Sequence, residues 1–211
     1  SFNNLIINGS SGTIYQLNST TTLTGSLSIL GGTLNFNGYD MTVGGNWICN
    51  GGLFTSGTRT VTFNATSGTV NITPSTSSFY NVVFNSGNGT GNATFTIGTT
   101  SVSTMTVTNN FTISRGTIDL SPDGGTTSNN LSIGNRFYMT AGTLIARAGT
   151  INVGENWSIS GTGIFTCGTS KVILTASSGT KSISPRNQAF YDLQIDGTAA
   201  FRITNTLDVN N

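Results

Sequence analysis

Hydrophobic residues in this chain come in pairs two positions apart, and the pairs return at a nearly constant distance. Met41/Val43, Val61/Phe63 and Val82/Phe84 form one series, and Leu131/Ile133, Ile151/Val153, Val172/Leu174 and Leu193/Ile195 form a second. Neighbouring pairs within a series are 20 or 21 residues apart, while Phe111 and Phe137 are 26 apart. Two-residue alternation marks a strand with one buried face. A period of 20 to 26 residues built from such strands lets a chain wind once around a parallel β-helix and land on its previous turn. Thr, Val and Ile, which favour strands, are frequent, and Ala-, Glu- and Leu-rich periodic stretches are missing. The pattern predicts an all-β fold without helices of note. It is one continuous, right-handed parallel β-helix (β-solenoid) of about nine coils, a rod roughly 40 Å long at ~4.8 Å per coil.

A longer repeat overlies the coils. "GGNWICNGGLF" (44–54) returns as "GENWSISGTGIF" (154–165), and Val61, Phe63, Gly68 and Pro74 return 111 residues later as Val172, Leu174, Gly179 and Pro185. The phrase "SFNNLIING" (1–9) recurs as "SFYNVVFNS" (78–86) and "AFYDLQIDG" (189–197). These matches divide the solenoid into units 1–77 and 78–188 and a partial unit 189–211. Aligning the units places Leu27, Trp47, Phe111, Phe137 and Trp157 in one inward stack, supported by apolar residues two positions on (Ile29, Cys49, Ile113, Met139, Ile159). Asn46, Asn110 and Asn156 precede three of these residues, with Ser26 and Arg136 at the matching places. They are read as a turn column, because Asn tolerates the left-handed region and bonds its own turn. "Gly-Thr-Leu/Ile" at Gly32, Gly116 and Gly142 marks bends that need positive φ.

Composition changes the picture mainly by exclusion. Only 7% of residues are charged, 35% are hydrophobic and the net charge is +1, so the chain folds but keeps its surface wet with hydroxyls and amides. That balance gives no footprint for nucleic acid, and no apolar run reaches the ~18 residues of a membrane span. The absence of His removes the commonest base and metal ligand. The acids Asp40, Asp119, Asp123, Glu155, Asp192, Asp196 and Asp208 fall on different coils, so no catalytic residue and no cofactor site is assigned. Asp119 and Asp123 in "DLSPDGG" are weak candidates for Ca²⁺, and a turn through Pro122 to Gly125 is the plainer reading. Cys49 and Cys167 are 118 residues, or about five coils, apart. At ~4.8 Å per coil that is too far for a disulfide, which predicts two free thiols with Cys49 turned inward. Sequons at Asn8, Asn18, Asn64, Asn88, Asn92 and Asn130 are candidate glycosylation sites. Those at Asn71, Asn110 and Asn156 complete the set, the last two lying beside inward aromatics.

"NWICNGGLFTSGTRTVTFNATSGTVNI" followed by "SFYNVVFNSGNGT" resembles the Thr/Gly/Asn-rich repeats of long secreted surface and adhesin-like proteins of bacteria and archaea. The resemblance implies parallel β-helical stacking, an extracellular or cell-surface location, and a structural or adhesive role. No capping helix is apparent, and the last coil reads as unfinished. The expected function is therefore a subunit of a self-assembling filament, tube or surface-layer-like appendage, its partner being a second copy stacked end to end; an excerpt of a longer stalk is the other explanation. An adhesin stalk or carbohydrate-binding module that takes cell-surface glycans is the alternative, with Tyr15, Tyr39, Tyr80, Tyr138 and Tyr191 as platforms. A polysaccharide lyase or hydrolase is the remote third reading. Neither nucleic acid nor membrane insertion is expected.

Overall fold

The computed structural model describes residues 1–87 and 92–210. All its strand pairs are parallel, no helix is present among the described residues, and the chain winds as a β-solenoid of about ten turns. Each turn visits three faces in order. The first face stacks Leu5–Asn8, Leu27–Gly31, Trp47–Cys49, Thr69–Thr73, Thr94–Ile97, Thr117–Asp119, Thr143–Ile145 and Ile164–Thr166. The second runs through Ile14–Gln16, Thr33–Asn35 and Leu53–Thr55. After the segment around Phe79, which bridges to Val107, it resumes through Thr104–Val107, Asn130–Ile133, Thr150–Val153, Lys171–Leu174 and Asp192–Ile195. The third holds Thr21–Leu23, Met41–Val43, Thr60–Phe63, Asn81–Asn85, Phe111–Arg115, Phe137–Met139, Trp157–Ile159, Thr180–Ser184 and Ala200–Ile203.

The residue pairs read from the sequence are direct neighbours. Leu27 pairs with Trp47, Met41 with Val61, Val82 with Val61, and Ile151 with both Leu131 and Val172. Alternate residues point into the prism, where the rings form a continuous spine. Trp47 lies 5.0 Å from Phe54 and 5.1 Å from Phe79. From there Phe63, Phe84, Phe111 and Phe137 lead to Trp157, which lies 4.1 Å from Phe137.

The single stack expected for Leu27, Trp47, Phe111, Phe137 and Trp157 is corrected. All five are fully buried, but Leu27 and Trp47 belong to the first face and Phe111, Phe137 and Trp157 to the third. The cause is the winding number. From the first copy of the "SFNNLIING" phrase to the second, the chain completes three turns and two further faces, and from the second to the third four turns and two faces. Neither repeat is a whole number of coils, so its three copies lie on the first, third and second faces. Sequence equivalence therefore rotates around the rod. The expected bends are present: Gly32, Gly116 and Gly142 have φ of 73°, 102° and 81°.

Candidate functional site

Where the chain turns between faces, strand hydrogen bonding lapses and backbone N–H groups need other acceptors. Side chains from the preceding coil supply them. Entering the first face, Ser26 N–H donates to Asn4 Oδ1 (2.7 Å), Asn46 N–H to Ser26 Oγ (3.0 Å) and Asn71 N–H to Asn46 Oδ1 (2.8 Å). Entering the third, Asn110 N–H donates to Asn81 Oδ1 (3.3 Å) and Ser182 N–H to Asn156 Oδ1 (2.7 Å), while side-chain bonds from Asn109 Nδ2 to Asn81 Oδ1 and from Asn135 Nδ2 to Asn109 Oδ1 link the coils between. The one turn column read from the sequence is thus two ladders, Asn46 in one and Asn110 and Asn156 in the other. The reason for Asn also differs: none of the three has positive φ, and Asn46 and Asn156 serve as acceptors for the next coil.

Four of the seven acidic residues, Asp40, Asp119, Asp123 and Glu155, have partners. Asp119 is buried and takes both Nε and Nη2 of Arg147, the Nε bond at 2.9 Å. Asp123 accepts from Thr127 N–H, Thr127 Oγ1 and Ser121 Oγ, each at 2.8 Å, bonds that hold its carboxyl well below the usual range. A guanidinium and a capped turn therefore stand where a shared Ca²⁺ was considered, and no group of three or more potential ligands forms among the described residues. Lys181 pairs with Glu155, at places where the first unit has Val70 and Gly45. Asp40 Oδ1 accepts Thr60 N–H. These carboxylates act as structural acceptors, and only Asp119 and Asp123 share a coil.

Both cysteines are free. Five coil steps on the first face separate the Cys49 strand from the one that ends just before Cys167. Cys49 is buried, donates to Gly52 O, and burial pushes its thiol up to about 11. Thiol alkylation at pH 8 is expected to label Cys167 and spare Cys49, which should react only as the pH approaches 11; equal labelling would contradict the inward placement. The protonated thiol is the form the fold favours. Its contribution to stability is complete below the unfolded value near 9 and is lost as pH rises toward 11.

Of the sequons, Asn8, Asn18 and Asn92 are exposed, Asn64 and Asn130 are half-buried, and Asn88 lies outside the described residues. Asn130 Oδ1 accepts Thr150 N–H. Of the five tyrosines, Tyr80 and Tyr191, which follow the equivalent Phe79 and Phe190, are half-buried, whereas Tyr15, Tyr39 and Tyr138 are exposed. Tyr138 stands in a shallow recess with Arg136, Asn156, Ser158 and Ser182, a grouping that the scattered sequence positions do not announce.

The remaining feature is the outermost strands of the two end coils; at the first of these, Phe2 bridges to Leu23 along the third face. The first-coil strands Leu5–Asn8, Ile14–Gln16 and Thr21–Leu23 each have a strand on one side only, as do Asp192–Ile195, Ala200–Ile203 and Asp208–Val209. Phe2, Ile6 and Ile14 are 60%, 66% and 60% exposed at one end, and Ile195, Ile203 and Val209 are exposed at the other. A recess of about 400 Å³ among Phe2, Leu5, Ile7, Tyr15, Leu17 and Leu34 opens at the first coil. No family model, no curated protein and no solved structure matches this chain.

Proposed function

We propose that the chain is an extracellular structural element that stacks end to end with copies of itself, giving a filament, tube or surface-layer-like appendage. The observation that carries this reading is the uncharged, apolar surface of the first coil. Natural sheets protect edges with charge, yet residues 1–39 contain no charged side chain and expose Phe2, Ile6 and Ile14. Both ends present parallel strands on the same three-sided profile, so head-to-tail docking preserves strand direction and continues every sheet. Such a heterologous contact does not close and propagates into a fibre. Export accords with the sparsely charged, hydroxyl-rich composition and the exposed sequons.

Sedimentation and electron microscopy of the purified chain test this. Concentration-dependent rods are expected, with assembly abolished by Phe2→Lys combined with Ile6→Lys at unchanged thermal midpoint, since both side chains already face solvent. A monodisperse monomer at all concentrations would overturn the proposal.

A further inference from the structure

On the third face, one outward column reads Thr22, Thr42, Thr62, Val83, Thr112, Tyr138 and Ser158 from coil to coil. Tyr138 is its one aromatic residue. Two positions earlier on the same coil, Arg136 is exposed, and its guanidinium makes no hydrogen bond or ion pair among the described residues. Asn156, Ser158 and Ser182 complete a recess of about 200 Å³ around them. Asn156 Oδ1 is committed to Ser182, accepting from its N–H at 2.7 Å and its Oγ at 3.2 Å. That leaves the Asn156 amide hydrogens, the Ser158 hydroxyl and the guanidinium as the groups offered outward. Glu155, next to Asn156 in the chain, is paired with Lys181, and Arg136 is the one charged residue lining the recess.

We infer that this recess is a binding site for an acidic sugar, with the carboxylate on Arg136 and the ring lying against Tyr138. A guanidinium prefers a planar carboxylate, which it binds through two parallel bonds. The tyrosine face gives apolar contact to a ring while its hydroxyl stays wet. The serine and asparagine donors suit ring hydroxyls. The volume is below the ~300–1,000 Å³ of pockets for drug-sized ligands, so one sugar ring fits and a single site is weak; strength comes from repetition along a polysaccharide or along stacked copies.

The test uses saturation-transfer NMR on small ligands, which works whether or not the chain assembles, so its outcome is separate from that of the stacking proposal. The probes are methyl glucuronide, its neutral methyl ester, and acetate. Saturable transfer to the glucuronide is expected, with the ester and acetate at least about tenfold weaker. Arg136→Gln and Tyr138→Ala should each lose about tenfold at unchanged thermal midpoint, and Tyr39→Ala should lose nothing. Absence of transfer to the glucuronide, equal binding of acetate, or binding untouched by both substitutions overturns the inference.

Discussion

Trp157→Ala is expected to destabilise the fold by about 4 kcal/mol, within the range for emptying a large aromatic site, whereas Trp157→Phe should cost no more than about 1.5 kcal/mol. Trp157 is fully buried, stacks on Phe137 at 4.1 Å and meets Phe165 edge-on at 5.0 Å and Phe190 at 5.3 Å. Removing the ring breaks the aromatic spine where three coils share it. The indole Nε1, however, is buried without an acceptor, a condition that itself costs about 1–3 kcal/mol. Phe keeps most of the packing and removes that cost, so the two effects partly cancel. Trp47, the equivalent residue on the first face, has the same unpartnered Nε1 and should behave alike. Urea midpoints of the four variants decide it: if Phe is as damaging as Ala, the indole N–H has a partner in solution, an edge-on ring being the nearest available.

The coil was legible because burial in a solenoid imposes two periods at once, two residues along a strand and one coil between strands. Both periods are carried by apolar identity, which is why Met41, Val61 and Val82 fall into one column. The long repeat was legible as similarity but misleading as geometry. Trp47 and Trp157 are equivalent in sequence, yet the intervening two-thirds of a turn moves Trp157 to another face, and apolar pattern alone does not report which face a strand occupies. The Asn ladders were half legible. The residue type pointed to corners, but its use as an acceptor for the next coil depends on stacking. Paired substitutions were not legible at all: Lys181 with Glu155 stands where Val70 and Gly45 stand in the first unit, a coupling visible only once the two coils are adjacent. The recess around Arg136 and Tyr138 likewise draws on three successive coils.

Asn129 is the clearest case of a residue whose importance no local pattern announces, for it lies in the polar run "TTSNN" and yet is completely buried. Its Oδ1 accepts Ser103 N–H at 2.7 Å and Ser103 Oγ at 2.8 Å, while Nδ2 donates to Ile97 O at 2.9 Å and Thr99 O at 3.4 Å. One amide thus fixes the connection 98–103, which carries no strand of its own, to the coil above. Asn129→Ala leaves buried backbone groups unpaired on both sides and should cost about 3 kcal/mol or more. Asn129→Asp separates the two halves of the amide. The acceptor toward Ser103 survives, but at neutral pH a carboxylate oxygen faces the carbonyls of Ile97 and Thr99, and only the protonated acid can donate to them. The folded state therefore raises the pKa of this Asp above its unfolded value, so the acid's contribution is complete at low pH and is lost as pH rises through the folded value. Between pH 7 and pH 5 the thermal midpoint of Asn129→Asp should rise. The parent should stay level there, because Asp123, whose pKa is depressed, gives up its contribution only at pH below the ordinary Asp value. A parallel response of variant and parent would mean that Nδ2 does not hold the 98–103 connection.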